Sequence, residues 1–357
     1  MTNSNAIIVV GAGIIGTTTA FKLASSGFDV SIFDPTPGRG ATFAAAGMLA
    51  PEGEIAIEEE QNYRLQLKSL SAWQRIAQEV QNLGLSSFEV HQTGTLLVGW
   101  DASDRSLLRQ FEQVANSFGA LPVVVNRDAT PELFEGVSER IHEGLLLSND
   151  AWLDPDAVMA ALQEANTRLG VKTFFETVEG ISTLSDGVEA KASSFSHRGA
   201  VGVLCTGVAS LPRGANVAGE TTKLRPIRGM TLRVAGLDRS SQPTVRAFVR
   251  GRPFYMVSRP GGYCVLGATV EEQSSPHAET GELQRLLRDA LDIFPGLEQS
   301  HFVEHRVGLR PATSDLQPFF NVLEGARWAW SSGHYRHGVT LAPLAASDAV
   351  DFVRSAL

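Results

Sequence analysis

The chain is poor in cysteine: Cys205 and Cys264 are its only two in 357 residues. Each lies in an apolar run, so a disulfide scaffold is excluded and buried free thiols in a reducing compartment are expected. Basic clusters are also missing. Acidic residues outnumber Lys and Arg by 39 to 30, for a net charge of −9. No Lys/Arg block offers a stripe for phosphates, so no nucleic-acid partner is expected. No apolar stretch approaches the roughly 20 residues of a membrane span, so no membrane partner is expected either. Repeats, low-complexity tracts and linkers are absent, which implies a second domain interleaved with the first. The first apolar run starts at Ala6; this leaves no room for a cleavable leader, and a cytoplasmic protein is the expectation. The terminal Ser355-Ala356-Leu357 resembles a peroxisomal address only loosely.

What is present begins at once. Ala6–Val10 reads as a buried strand, followed by Gly11-Ala12-Gly13-Ile14-Ile15-Gly16, a helical segment to Gly27, and a second apolar run, Val30–Phe33, ending on Asp34. This is a βαβ unit with the dinucleotide fingerprint in its required context. Gly11 allows the tight turn, Gly13 lets backbone approach a pyrophosphate, and Gly16 lets helix and strand pack closely. The helix N-terminus offers free N–H groups and partial positive charge. Asp34 is placed to accept from a ribose hydroxyl. The fingerprint alone does not separate NAD from FAD. The Ala/Gly-rich segment Gly38–Pro51 suits backbone passing close to a large flat ligand, or a tightly packed small-residue helix.

Further along, apolar spacing predicts a helix over Gln61–Leu83, with Trp73 as core. Asp154-Pro155 starts a second helix that runs to Gly170. Strands are expected at Val171–Phe175, Val178–Thr183, Val188–Ala192 and Val201–Cys205. Met230–Val270 alternates as antiparallel hairpins, the clearest being Phe254–Ser258 and Tyr263–Gly267 around Pro260-Gly261-Gly262. If the Pro260–Gly262 turn is a tight hairpin, Tyr255 shares a face with Leu266 and, further out, Val270. A helix near Glu279–Phe294, strands near Phe302–Leu309 and Trp328–Ser331, and a helix from Gly338 to Arg354 complete the pattern. The expected class is α/β.

The fingerprint, AAAGMLAPEGE (Ala44–Glu54), PIRGMTL (Pro226–Leu232), FYMVSRPGGYCVLGATVE (Phe254–Glu271), GLRPATSD (Gly308–Asp315) and GHYRHGVTLAP (Gly333–Pro343) occur in family order across nearly the whole chain. Together they resemble the FAD-dependent D-amino-acid oxidase superfamily, and most of all its glycine oxidase branch, which supplies an imine for the thiazole of thiamine. The resemblance implies a Rossmann-type FAD domain of residues 1–85, 145–225 and 300–357. It also implies an interleaved substrate domain of residues 86–144 and 226–299, on an antiparallel sheet. FAD would be bound non-covalently, since no cysteine lies near the C-terminal cofactor motifs. Small amino acids and oxygen would be the partners, in a possible homodimer or homotetramer.

Carried over position by position, Gly11, Ala12, Gly13, Ile14, Ile15, Gly16 and Asp34 would hold adenosine and pyrophosphate. Thr42, Ala45, Ala46, Gly47 and Met48 would line pyrophosphate and flavin. Val178 would meet the adenine region, and Thr206 and Gly207 would pass near the cofactor. His334, Tyr335, Arg336, His337, Gly338, Val339 and Thr340 would contact the isoalloxazine edge. Arg310 would clamp the substrate carboxylate, a job for which a guanidinium fork is suited; an internal ion pair with a protein acid is the other reading. Tyr255 would donate a second bond, unless it is a plain core tyrosine. Arg336 would stand near flavin and substrate or anchor its loop. Gly53 would limit the pocket beside the α-carbon, with Val270 in the pocket wall. The implied reaction passes hydride from Cα to flavin N5 of a neutral amine, needs no general base, and ends with imine hydrolysis and reoxidation by oxygen. Asp34 in place of Glu, Phe43 in place of a small hydroxyl residue, Val270 in place of Met, and His337 in place of Asn depart from the family pattern.

His301-Phe302-Val303-Glu304-His305 fits an inverted zinc-protease string. The surrounding residues suit a strand, where four residues separate the histidines by roughly 13 Å, too far for one zinc ion. No metal is expected. Rival readings are a broader D-amino-acid oxidase or dehydrogenase, a sarcosine-type oxidase, an NAD-dependent dehydrogenase, and a non-catalytic nucleotide-binding sensor.

Overall fold

The computed structural model describes residues 5–56, 60–215 and 223–357. Four sheets organise them. The first has six strands in the order β18 (Phe319–Val322), β19 (Trp328–Ser332), β12 (Val201–Leu204), β1 (Ala6–Val10), β2 (Asp29–Phe33) and β8 (Lys172–Phe174). All its neighbours are parallel except β18 against β19. The second has eight strands: β17 (His301–Ala312), β13 (Arg225–Ala235), β16 (Tyr263–Gly267), β15 (Arg252–Arg259), β14 (Thr244–Val249), β4 (Thr95–Gly99), β6 (Glu143–Leu147) and β5 (Val123–Asn126). β9 (Val178–Leu184), β10 (Gly187–Ala192) and β11 (Ser196–Gly199) make a three-stranded sheet, and β3 (Met48–Leu49) pairs with β7 (Ala151–Trp152).

The first βαβ unit forms as its glycines predict. Gly11 takes φ +99°, and α1 (Ile14–Ser25) packs so tightly on the turn that a Cβ at Gly16 would lie 1.8 Å from the Gly11 carbonyl oxygen. α2 (Ala41–Ala44) is a single turn. α3 (Glu60–Asn82) buries Trp73, whose indole donates to Val339 O at 2.8 Å. That bond anchors the first turn of α7 (Gly338–Ala356), which packs along α1. α5 (Pro155–Arg168) is capped by Asp154, accepting from Asp156 N–H at 3.0 Å, with Pro155 at its first position. No helix among the described residues is long and apolar enough to cross a membrane.

The segment 86–150 gave no elements by inspection, yet it holds three strands and α4 (Ala102–Ser117), closed by a reciprocal Asp101–Asp104 capping box. Two of these strands, β4 and β6, are short and largely buried on both faces, so no alternation marks them, and β5 is a four-residue strand at the sheet edge. The expected antiparallel sheet also contains one parallel pair, β14 against β4. Residues 300–357 straddle the two large sheets: β17 pairs with β13 in the eight-stranded sheet, whereas β18 and β19 lie in the other. His301–His305 is extended within β17, as its composition predicted.

The Pro260–Gly262 turn is not the tight hairpin that would place Tyr255 and Leu266 on one face. Arg259 pairs with Tyr263 across the three-residue loop Pro260–Gly262, so Tyr255 faces Gly267 and Leu266 faces Met256. Leu266 therefore points to the opposite side from Tyr255, because a shift of one residue inverts the face. That alternation gives the sheet two unlike sides. Met230, Leu232, Val245, Met256 and Leu266 pack with Leu286, Ala290 and Ile293 of α6 (Thr280–Ile293). The other side carries Arg233, Arg246, Arg259, Arg306 and Arg310, and it faces the six-stranded layer.

Candidate active site

Three of these arginines fasten the Ala-rich segment to the sheet. Arg306 donates to Phe43 O at 3.2 Å, Arg233 to the same oxygen at 3.5 Å, and Arg259 to Ala46 O and Leu153 O. Thr231 adds a bond to Ala44 O at 3.0 Å. Phe43 is turned from the cleft and lies between the guanidiniums of Arg39 and Arg306, 4.7 and 4.3 Å from its ring centre. The small-residue segment is thus held as one wall of a long cleft between the two layers.

Every residue expected at the cofactor lines this cleft except Ala12, Gly16 and Val178. Ala12 donates its N–H to Asp34 Oδ2 at 2.7 Å, fixing the carboxylate at the end of β2. Gly16 serves helix–turn packing. Val178 is buried with Val10, Phe33 and Trp328 at the start of β9, so its side chain does not reach the cleft. Thr42 accepts from Ile14 N–H at 3.0 Å, joining the two glycine-rich segments. The N-termini of α1 and α7 both open into the cleft, and neither has an acidic residue in its first turn. Their partial positive charges are available to an anion. Two buried cleft hydroxyls, Thr206 Oγ1 and Ser331 Oγ, have no partner among the described residues. Buried polar atoms need partners, so an extended ligand with phosphate and hydroxyl groups fits the donors present.

The substrate end is built on two glycines. Arg310 leans from β17 over Gly229 of β13, where a Cβ would lie 2.2 Å from its guanidinium carbon. Tyr255 leans from β15 over Gly267 of β16, where a Cβ would lie 2.2 Å from the ring. Because β13 and β16 are neighbours, the two side chains converge. Arg310 Nη1 donates to Arg228 O at 3.3 Å and Thr269 O at 3.2 Å. Among the described residues no carboxylate lies within 4.0 Å of Arg310, and its other nitrogens make no hydrogen bond. The Tyr255 hydroxyl makes none either. Burial raises the phenol's pKa, although the Arg310 charge opposes the shift.

Other placements differ from expectation. Gly53 does not line the cleft: its N–H is 3.1 Å from Asp150 Oδ2, and a Cβ there would meet that oxygen at 2.7 Å. The loop turns its next residue, Glu54, into the cleft instead. Val270 lines the cleft but is 56% exposed, which puts it at the mouth. Arg336 pairs through Nε with Glu54 Oε2 at 2.7 Å, and Arg246 bonds Glu54 Oε1. Glu54 and Arg246 were missed. PEGE was legible as a motif, but only the fold shows which of its acids faces inward.

Burial works to raise Glu54, yet Arg246 and then Arg336 hold it down to about 2. Burial pushes His334 and His337 down to about 4, so both rings are neutral near pH 7. Cys205, on the cleft wall, is pushed by burial up to about 12 and stays a thiol. Both cysteines are free and buried.

Residues 6–351 match the family described as FAD dependent oxidoreductase. The chain belongs to this family, and it is a flavoenzyme that uses FAD. It is 28% identical over 352 residues to the glycine oxidase of Bacillus licheniformis, covering 97% of this chain and 92% of that protein. A candidate thiamine biosynthesis oxidoreductase of Rhizobium etli, ThiO, is 29% identical over 349 residues, with 96% and 94% covered. The crystal structure of glycine oxidase from Geobacillus kaustophilus superposes with a TM-score of 0.87, covering 98% of this chain and 94% of that one. At 23% identity that likeness concerns the fold.

Proposed function

We propose that this FAD-dependent amino-acid oxidase deaminates glycine and similarly small amines, such as sarcosine and small D-amino acids. From glycine the products would be an imine that hydrolyses to glyoxylate and ammonia, with hydrogen peroxide from oxygen; other amines would give the corresponding oxo acid and ammonia or amine. The reading rests above all on Arg310, a cleft guanidinium seated on glycine that, among the described residues, is held by backbone carbonyls and pairs with no acid.

When bound, FAD supplies the two-electron acceptor for a hydride from the substrate α-carbon. The chain's own residues do the positioning. Arg310 grips the substrate carboxylate through its unused donors, and Tyr255 donates a second bond to it. Fixing the carboxylate at two points leaves the α-carbon one orientation in the cleft. The N-terminus of α1 would hold the pyrophosphate, and Asp34 the ribose. The N-terminus of α7 would place positive potential where negative charge develops. The neutral histidines add none of their own. Likeness to the Rhizobium protein and to glycine oxidases supports a place in supplying thiamine's thiazole.

The test is direct. The purified protein is expected to be yellow and to bleach without air on addition of glycine, sarcosine or D-alanine, then to release peroxide when air returns. A protein that binds flavin yet bleaches with no amine fits the sensor reading. A colourless one fits NAD. Bleaching without peroxide marks a dehydrogenase.

A further inference from the structure

The cleft carries a second cationic locus, apart from Arg310, and a protein carboxylate already occupies it. Arg246 reaches Glu54 through Nη1, and Arg336 reaches it through Nε at 2.7 Å. All three side chains line the cleft. Arg246 is the cross-strand partner of Tyr255 and shares its face, one strand further from Arg310, a step of roughly 4.8 Å. The loop carrying Glu54 is interlocked with the segment before β7. Asp150 accepts from the N–H of Glu52 at 2.9 Å and of Gly53 at 3.1 Å. Glu52 accepts in return from Asn149, from its N–H at 3.1 Å and its side-chain amide at 2.7 Å. Glu54 is thereby held in place, and with its pKa near 2 it is charged across the neutral range.

We infer that Glu54 determines specificity: it is an internal carboxylate that occupies the Arg246–Arg336 pair and reserves the cleft for amines bearing a single carboxylate. The inference rests on the reading of Arg310 as the clamp for the substrate's own carboxylate. A second substrate carboxylate would meet a like charge already bonded to both guanidiniums. Neutralising Glu54 reverses the balance. It removes the Glu54 partner of the largely buried Arg246, an unfavourable state that a second substrate carboxylate relieves.

Two substrate pairs differ only by a carboxylate in place of a hydrogen: D-alanine with D-aspartate, and sarcosine with iminodiacetate. Each is assayed for anaerobic bleaching and steady-state turnover with the holoenzyme and its Glu54→Gln variant. The wild type is expected to prefer the monocarboxylate. Glu54→Gln is expected to raise the dicarboxylate-to-monocarboxylate ratio of kcat/KM at least about tenfold. Adding Arg246→Leu to Glu54→Gln should remove that gain. An unchanged ratio, a gain that survives Arg246→Leu, or a wild type that already favours dicarboxylates overturns the proposal. Competitive inhibition of the wild type gives a check that needs no variant: acetate should bind more tightly than malonate, and the reverse order also overturns it. If the wild type bleaches with none of the four amines, the functional reading fails and takes this inference with it. A flat ratio with active substrates sinks only the role of Glu54.

Discussion

The two faces of the eight-stranded sheet come from the same strands and share almost nothing chemically. Met230, Leu232, Met256 and Leu266 face α6 in a dry layer. One residue along each strand, Gly229, Thr231, Tyr255 and Gly267 share the other face with five arginines, of which Arg246 and Arg310 line the cleft. The apolar face stabilises the sheet through buried area. The cleft face spends packing on glycine, which leaves room for the Arg310 and Tyr255 side chains to lie flat against the sheet. Period-two alternation separates stability from chemistry within single strands.

Substitutions on the two faces should therefore fail differently. The largest effect is expected at Arg310→Ala: apparent KM for glycine rises by about a hundredfold or more, with the flavin spectrum and urea midpoint unchanged. Gly229→Ala should mimic it without touching a charge, because its Cβ would collide with the guanidinium. An unchanged KM in both variants would remove Arg310 from its role. On the opposite face, Met256→Ala should lower unfolding free energy by about 2–5 kcal/mol in denaturant titrations, yet leave KM of the folded enzyme within about threefold. A large KM change there would break the comparison. Tyr255→Phe is smaller: loss of one hydroxyl bond to a charged group is worth about 1.5–3 kcal/mol, read as a rise in KM without loss of stability.

The last effect concerns pH. Burial pushes Asp150 up to about 7 from an ordinary value of 3.8. The folded state then holds more protons than the unfolded one between those values, so this residue's contribution declines as pH rises from about 4 to 7. Asp150→Asn should flatten that part of a plot of Tm against pH, and an unaltered slope would show that Asp150 titrates normally.

The chemistry of the first βαβ unit could be read directly because every requirement is local. The glycines, the helix and Asp34 lie within 30 residues. The Asp154-Pro155 helix start and the Phe254–Gly267 hairpin were legible for the same reason. Tyr255's face could not be read because a three-residue loop and a two-residue loop set opposite parity, and Pro-Gly-Gly does not say which forms. Glu54 escaped notice for a different reason. Glu52 and Glu54 are equivalent in sequence, and only Asp150 and Asn149, some 100 positions away, decide which one turns inward.

The sequence by itself determined the βαβ frame, the glycine turns and the residue types available for a carboxylate clamp, since these follow from backbone sterics and short-range periodicity. Tertiary structure alone decided that Arg310 pairs with no acid among the described residues while Arg246 and Arg336 share Glu54. Ion pairing depends on charges brought together from distant segments, and no local rule in the chain encodes that distance.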